Sequence, residues 1–194
     1  MVSPEHLELC ASTAWRDLVR DEILPYATAG VRLGDDVLEI GPGPGVTTDL
    51  LRHQTQKLTA VEVDTDLAAA LAARLAGTNV TVVRGDATDL PFEDGRYSDA
   101  VALTMLHHVP TDELQDRLIC EVARVLRAGG RFIASDSIHS AELAALHAGD
   151  TYNPIEPATL EDRFQRAGFV DIAIRVNPFG WAALARRGRR RHPK

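Results

Sequence analysis

The sequence predicts an α/β protein, an open sheet of seven strands, mostly parallel, with helices on both faces and an antiparallel C-terminal strand. Three observations predict it. Short β-branched runs alternate with amphipathic helical stretches through the middle of the chain. A glycine turn, Gly41-Pro42-Gly43-Pro44-Gly45, joins the first such run to the helix that follows. Two runs near the end, 169–176 and 180–185, are separated by Asn177-Pro178-Phe179-Gly180, which suits a hairpin and so a reversed last strand.

Taken in order, residues 5–29 read as one or two helices. Leu7, Leu18, Val19, Ile23 and Leu24 recur at helical spacing, and Pro25 interrupts the run. Gly34 ends this leader, and 37–40 form the first strand. Helix 46–53 follows the glycine turn, and 58–63 form the second strand. Residues 66–76 (DLAAALAARLA) form a helix that starts at Asp66, whose carboxylate caps free N–H groups, and ends at Gly77. Residues 80–83 are the third strand and 100–103 the core of the fourth. Thr111 caps a helix over 111–127, with Leu114, Leu118, Val122 and Val125 on its buried face and Gly129-Gly130 as its stop. Residues 132–135 are the fifth strand. A helix over 157–167, closed by Gly168, leads into the hairpin.

Composition sets outer bounds. With 194 residues and 45% hydrophobic content, the chain is long and apolar enough to bury a core within one domain, and it is not a disordered polymer. Of 21 basic and 28 acidic residues, net −7, six basic ones lie within 186–194, so the first 185 residues carry 15 against 28, or −13. An acidic body argues against a nucleic-acid binder with a basic surface. No apolar run approaches the roughly 18–20 residues of a membrane helix. The start, MVSPEHLELCAST, has neither a basic leader nor an apolar block, so a cytoplasmic protein without a membrane partner is expected. Cys10 and Cys120 stand far apart and read as two small buried residues, not as a disulfide or zinc pair. Three regions result: a helical lid over 1–33, the α/β domain over 34–185, and a basic, disordered tail over 186–194.

The candidate chemistry lies at strand ends. In an open parallel sheet the glycine turn sits where strand order reverses and ligands bind. A dinucleotide fingerprint would need a third glycine where Val46 stands, and a P-loop would need Gly-Lys-Ser/Thr, with no lysine nearby. Glu62, 17 residues after Gly45, interrupts an apolar run at the end of the second strand. A carboxylate there can accept both hydroxyls of a ribose, with Asp64 as the competitor or the start of the next turn. Asp86, after the third strand, either accepts from an exocyclic amine such as adenine's or caps its own turn.

Five segments carry a family resemblance: VLEIGPGPGVTT (37–48), LTAVEVDTDL (58–67), GDATDLPFEDGRYSDAV (85–101), LTMLHHVP (103–110) and EVARVLRAGGRF (121–132). In this order and spacing, over about half the chain, the sequence resembles class I S-adenosylmethionine-dependent methyltransferases of the ubiquinone/menaquinone-biosynthesis-like (methyltransferase type 11) group. The resemblance implies a Rossmann-like fold. It makes 34–185 the S-adenosylmethionine-binding domain and S-adenosylhomocysteine the product. Glu39, Gly41, Gly43 and Gly45 match the motif that lies against the methionine and ribose portions. Glu62, with Val63, matches the ribose-binding acid, Asp86 and Ala87 the adenine-binding pair, and Thr104 the position near the sulfonium; 126–130 match a structural segment.

The implied reaction is in-line displacement of the methyl group by an acceptor held in a dry pocket. His107 and His108 follow the fourth strand where substrate would enter, and are candidates for a base or for substrate orientation. Adjacent on one segment, they do not converge on a metal, so no metal site is expected. The pocket walls would come from the leader, 104–112 and 137–156. Trp15, Asp136 and Tyr152 are candidate substrate-binding residues, with Tyr26 and Ile155 as further wall residues. Such modest walls suit a small or medium-sized acceptor. VEVDTDLAAAL also resembles rRNA adenine dimethylases. Those carry an Asn/Asp-Pro-Pro-Tyr/Phe motif where this chain has Leu103-Thr104-Met105-Leu106, which disfavours an RNA base as acceptor. A protein or peptide acceptor stays open, as does a cofactor-binding module without catalysis. A NAD-binding enzyme is opposed by Val46 and by the terminal hairpin.

Overall fold

The computed structural model describes residues 3–189. Seven strands form one sheet: β1 (Asp36–Ile40), β2 (Lys57–Glu62), β3 (Val80–Arg84), β4 (Tyr97–Leu103), β5 (Leu126–Ser137), β6 (Phe169–Asn177) and β7 (Gly180–Arg187). Their order is β3-β2-β1-β4-β5-β7-β6. The pairs from β3 through β5 are parallel, and β7 runs antiparallel to both β5 and β6. From β1 the chain builds outward to β3 on one side, then returns to lay β4 and β5 on the other. The C-terminal ends of β1 and β4 therefore part, which opens a crevice.

Helices cover both faces, so the central strands are buried along their length; every residue of β4 is buried. Side chains alternate between two cores. Leu38, Ile40, Ala100, Ala102 and Phe132 face α6 (Asp112–Val125) and α8 (Leu160–Arg166). Val37, Val101 and Ile133 face Leu24 and Ala27 of α3 (Leu24–Thr28) and Leu51 of α4 (Val46–Leu51). On α6 the residues expected inside, Leu118, Val122 and Val125, are fully buried, and Leu114 packs at their edge.

The leader is a chain of short helices, α1 (Pro4–Ala11) and α2 (Thr13–Leu18), then a π turn (Val19–Ile23), then α3. Pro25, expected to interrupt the run, stands inside it. The residue before it, Leu24, donates its N–H to Val19 O across the π turn, and Pro25 stands in the first turn of α3, where a missing N–H costs least. The next helix, α5 (Thr65–Arg74), is capped by Asp64, not Asp66. Asp64 Oδ1 accepts the Asp66 and Leu67 N–H groups at 2.9 and 3.0 Å, the geometry of a residue just outside the first turn.

Gly129-Gly130 do not stop α6, which ends at Val125. Leu126 already pairs with Tyr97, and the two glycines lie inside β5, where its register against β4 shifts. A Cβ on Gly130 would stand 2.9 Å from two carbonyl oxygens, those of Arg127 and Ser98. A further helix, α7 (Ala141–Leu146), capped by Ser140, occupies the segment expected only to supply wall residues.

The tail begins later than expected. Arg186 and Arg187 are strand residues of β7, with Arg187 Nε donating to Ala123 O at 2.5 Å, while Arg190, Arg191 and Lys194 lie outside the described residues. Cys120 is exposed rather than buried, being on the solvent side of α6, and Ile155 belongs to the core. Among the described residues, no helix is long and apolar enough to cross a membrane.

Candidate functional site

Two adjoining cavities open at the C-terminal ends of the strands. The first, about 390 Å³, lies between the glycine turn, the end of β2 and the segment after β4, roofed by Leu7, Cys10 and Trp15 of the leader helices. The second, about 950 Å³, lies between Trp15 and Tyr26, the segment after β5 and the β6–β7 turn. They share His6, Cys10, Trp15 and Thr104.

The glycine turn takes its shape from left-handed backbone at Gly41, Gly43 and Gly45. At Gly45, with φ +88°, a Cβ would stand 2.3 Å from Leu71 Cδ1, so only glycine lets α4 start against α5. Gly43, with φ +52°, has no protein atom within 4 Å of where a Cβ would project, and it lines the first cavity. Its N–H donates to Glu62 Oε2 at 3.0 Å, and the Asp64 N–H donates to Glu62 Oε1 at 3.0 Å. Two backbone donors thus aim the Glu62 carboxylate, and each oxygen keeps a lone pair for a further donor.

Glu39 is buried behind the turn. Neither of its carboxylate oxygens nor the Thr48 hydroxyl has a hydrogen-bond partner. Burial pushes the Glu39 carboxyl up to about 8. The Thr48 hydroxyl beside it offsets part of that rise, and the charges of Asp49 and Glu62 add to it.

Thr104 stands where the two cavities meet, with φ +52°. Left-handed backbone at a β-branched residue is strained, on the order of 1–3 kcal/mol. The surrounding bonds hold it there: its N–H donates to Ser135 O at 2.7 Å and its hydroxyl to Leu103 O at 2.8 Å.

Four histidines gather beside this junction. His107 Nδ1 is 2.6 Å from Asp136 Oδ1, and the His107 backbone N–H donates to Asp136 Oδ2 at 2.9 Å. His107 Nε2 lies 3.1 Å from His147 Nε2. With Nδ1 held by Asp136 and Nε2 against His147, His107 is a fixed wall of the second cavity. His108 lines the first cavity, with Nδ1 3.3 Å from Thr151 O. Burial, then the neighbouring His107, His6 and His147, pulls His108 down to about 3, and burial followed by His147 lowers His6 as well, so both rings are neutral at neutral pH. Burial likewise lifts the Cys10 thiol to about 11, which leaves it protonated and unreactive.

The residues singled out in the sequence therefore divide. Gly41, Gly43, Glu62, Val63 and Thr104 line the first cavity, and Asp136, Trp15 and Tyr26 line the second. Glu39, Gly45, Asp86 and Ala87 line neither. Asp86 Oδ1 is occupied by the Thr88 N–H and hydroxyl, each at 2.8 Å, which is the turn alternative weighed for it. Tyr152 also lines neither cavity and stacks on His147 with ring centroids 4.5 Å apart.

Leu7, Cys10 and Met105 line the first cavity without having been singled out. Leu7 and Cys10 stand three apart on α1, a face legible as helical but not as cavity-facing. The absence of a metal set was expected from spacing along the chain; the fold instead brings ring nitrogens of His6, His108 and His147 within 4.8 Å of one another.

Comparison with known proteins agrees with this architecture. Residues 37–130 match a family described as a methyltransferase domain. A probable ribosomal RNA small subunit methyltransferase A of Haloarcula marismortui is 38% identical over 54% of this chain and 37% of its own length. A chloroplastic 2-methyl-6-phytyl-1,4-hydroquinone methyltransferase 1 of Oryza sativa is 28% identical over 90% of this chain and 53% of its own. The chain thus spans about half or less of the length of these curated relatives. An S-adenosylmethionine-dependent methyltransferase from Mesorhizobium loti shares the fold, with a TM-score of 0.68 at 19% identity over 84% of this chain and 96% of that one. Residues 37–130 thus match a methyltransferase-domain family, and the Rossmann-like fold is shared with an S-adenosylmethionine-dependent methyltransferase.

Proposed function

We propose that the chain transfers a methyl group from S-adenosylmethionine to a small or medium-sized acceptor with an apolar body, releasing S-adenosylhomocysteine. The observation that carries this reading is the pair of adjoining cavities joined at Thr104, one lined by the glycine turn and Glu62 and the other wider and walled by the leader, the segment after β5 and the β6–β7 turn. The first cavity fits the cofactor. Glu62 offers free lone pairs for ribose hydroxyls, and Gly43 leaves open space where any side chain would intrude. When bound there, S-adenosylmethionine supplies an electrophilic methyl group on a sulfonium.

The chain's own contribution is position and exclusion of water. The glycine turn and Glu62 fix one side, and Leu7, Cys10 and Trp15 close the roof. Thr104, held by two hydrogen bonds, sets the boundary across which donor and acceptor face each other. Asp136 locks His107 as a rigid part of the acceptor wall. At the rim of the second cavity Leu9, Leu18, Leu146 and Phe179 stay largely exposed, Phe179 by 83%, an apolar lip suited to a greasy acceptor.

Incubating the protein with methyl-labelled S-adenosylmethionine and fractionated cell extract tests this reading. Label is expected in the small-molecule fraction extractable into organic solvent. Label confined to RNA or to protein would overturn the acceptor class, and an absence of transfer to every fraction would leave only a cofactor-binding module.

A further inference from the structure

Three histidines converge at the boundary of the two cavities from separate parts of the chain, and methyl transfer as described above gives them no task. His6 comes from α1, His108 from the short turn after β4, and His147 from the end of α7. One ring nitrogen of each lies within 4.8 Å of the other two. His6 lines both cavities, His108 the first and His147 the second.

Imidazoles that bind metals are oriented by an oxygen on their other ring nitrogen, which fixes the tautomer and turns a lone pair inward. His147 and His108 have such an oxygen, and His6 Nδ1, which makes no hydrogen bond, has one nearby. His147 Nδ1 lies 2.6 Å from Leu143 O, and His108 Nδ1 3.3 Å from Thr151 O. His6 Nδ1 faces Asp150 Oδ2 at 3.5 Å, and that oxygen is itself pinned at 2.9 Å by the Ser3 N–H. His108 and His147 thus keep Nε2 turned away from that oxygen, His147 Nε2 toward His107, and His6 has a ring nitrogen without a hydrogen bond. The two Nδ1–H groups of His107 and His147 are committed to Asp136 and Leu143, so their Nε2 lone pairs confront each other at 3.1 Å.

We propose that His6, His108 and His147 bind one divalent transition-metal ion of the zinc class at the boundary of the two cavities. Three imidazoles suit Zn²⁺ or Co²⁺, and three protein ligands leave a fourth tetrahedral position open. Metal–nitrogen bonds of about 2.0–2.1 Å place tetrahedral ligand atoms about 3.4 Å apart. The three rings therefore need draw together by no more than about 1.4 Å from the 4.8 Å now seen. The open position would take an oxygen of the acceptor and acidify it, a role that rests on the methyl-transfer reading; metal binding itself does not.

Titrating the untagged, metal-free full chain with Co²⁺, followed by visible absorption, tests the site. One equivalent of Co²⁺ is expected to give the intense bands of a tetrahedral ion, and one equivalent of Zn²⁺ to displace it. His6→Gln, His108→Gln and His147→Gln should each weaken Co²⁺ binding by about 100-fold, while His53→Gln, at an exposed histidine, leaves it unchanged. Circular dichroism identifies any variant that fails to fold, and the wild-type stoichiometry together with the folded variants then decides. No tetrahedral spectrum in the wild type, or an unchanged spectrum in the folded variants, would overturn the site. S-adenosylhomocysteine binding, measured on the same metal-free protein, reports separately on the cofactor cavity.

Discussion

Glu39 holds a carboxyl group in a buried place with only the Thr48 hydroxyl beside it, and that has a consequence for stability. Its folded pKa of about 8 lies above the ordinary 4.5, so between these values the folded chain holds a proton that the unfolded chain has lost. Stability contributed by the neutral group is therefore present below pH 4.5 and is lost as pH rises toward 8, by on the order of a few kcal/mol at most. Glu39→Gln should remove this slope and raise the melting temperature of the unliganded chain at pH 8. Parallel pH-dependent melts that failed to diverge would contradict it.

Thr104 gives a second test at this scale. Thr104→Gly should relieve left-handed strain of about 1–3 kcal/mol and offset the entropic cost of the glycine. Thr104→Val keeps the strain and loses both the hydroxyl and its bond to Leu103 O. Chemical denaturation should rank the glycine variant above the valine variant. Glu62 was legible because a carboxylate in an apolar run demands a reason. Asp86 was legible only as two alternatives, because an acid at a strand end serves a turn as readily as a ligand; its Oδ1 accepts from Thr88 and its Oδ2 does not.

Among the elements, the glycine turn separates two effects that sequence alone runs together. Gly45→Ala should destabilise the fold, because its Cβ meets Leu71 at 2.3 Å and φ is +88°. Gly43→Ala meets no protein atom within 4 Å, so it should cost about 1 kcal/mol of backbone strain yet weaken S-adenosylhomocysteine binding at least tenfold. Equal effects of the two substitutions on melting would refute this division.

Strands β1, β2 and β4 were readable within a few residues because burial on both faces makes them continuous apolar runs. The start of β5 was not. Gly129-Gly130 carries the same signal as a helix stop, and the tertiary pairing of Leu126 with Tyr97 decides the matter. The π turn before Pro25 was hidden for a similar reason, since packing of Val19 and Leu24 holds a helix together across a proline.

For the whole molecule, strand order explains why one chain carries two cavities side by side. The sheet reverses between β1 and β4, which creates the crevice of the first cavity, and the antiparallel β7 turns the β6–β7 hairpin up to wall the second. The leader roofs both. Val19, Leu24 and Ala27 anchor it in the core, whereas no apolar side chain of α1 among the described residues is buried. Deleting residues 1–11 should therefore leave the melting temperature little changed while raising the dissociation constant for S-adenosylhomocysteine about tenfold; an unchanged constant would show that the roof is dispensable. The parallel sheet and the hairpin were written in local pattern. The meeting of His6, His108 and His147 was not, because no spacing along the chain records which loops a fold brings together.

The cofactor assignment is tested most directly by titration calorimetry with S-adenosylhomocysteine on the wild type and on Glu62→Ala, with NAD as the comparison. The expected result is saturable one-to-one binding by the wild type, no NAD binding, and a loss of about tenfold or more in Glu62→Ala at unchanged circular dichroism. Binding of NAD alone, or equal affinity in the two proteins, would contradict it.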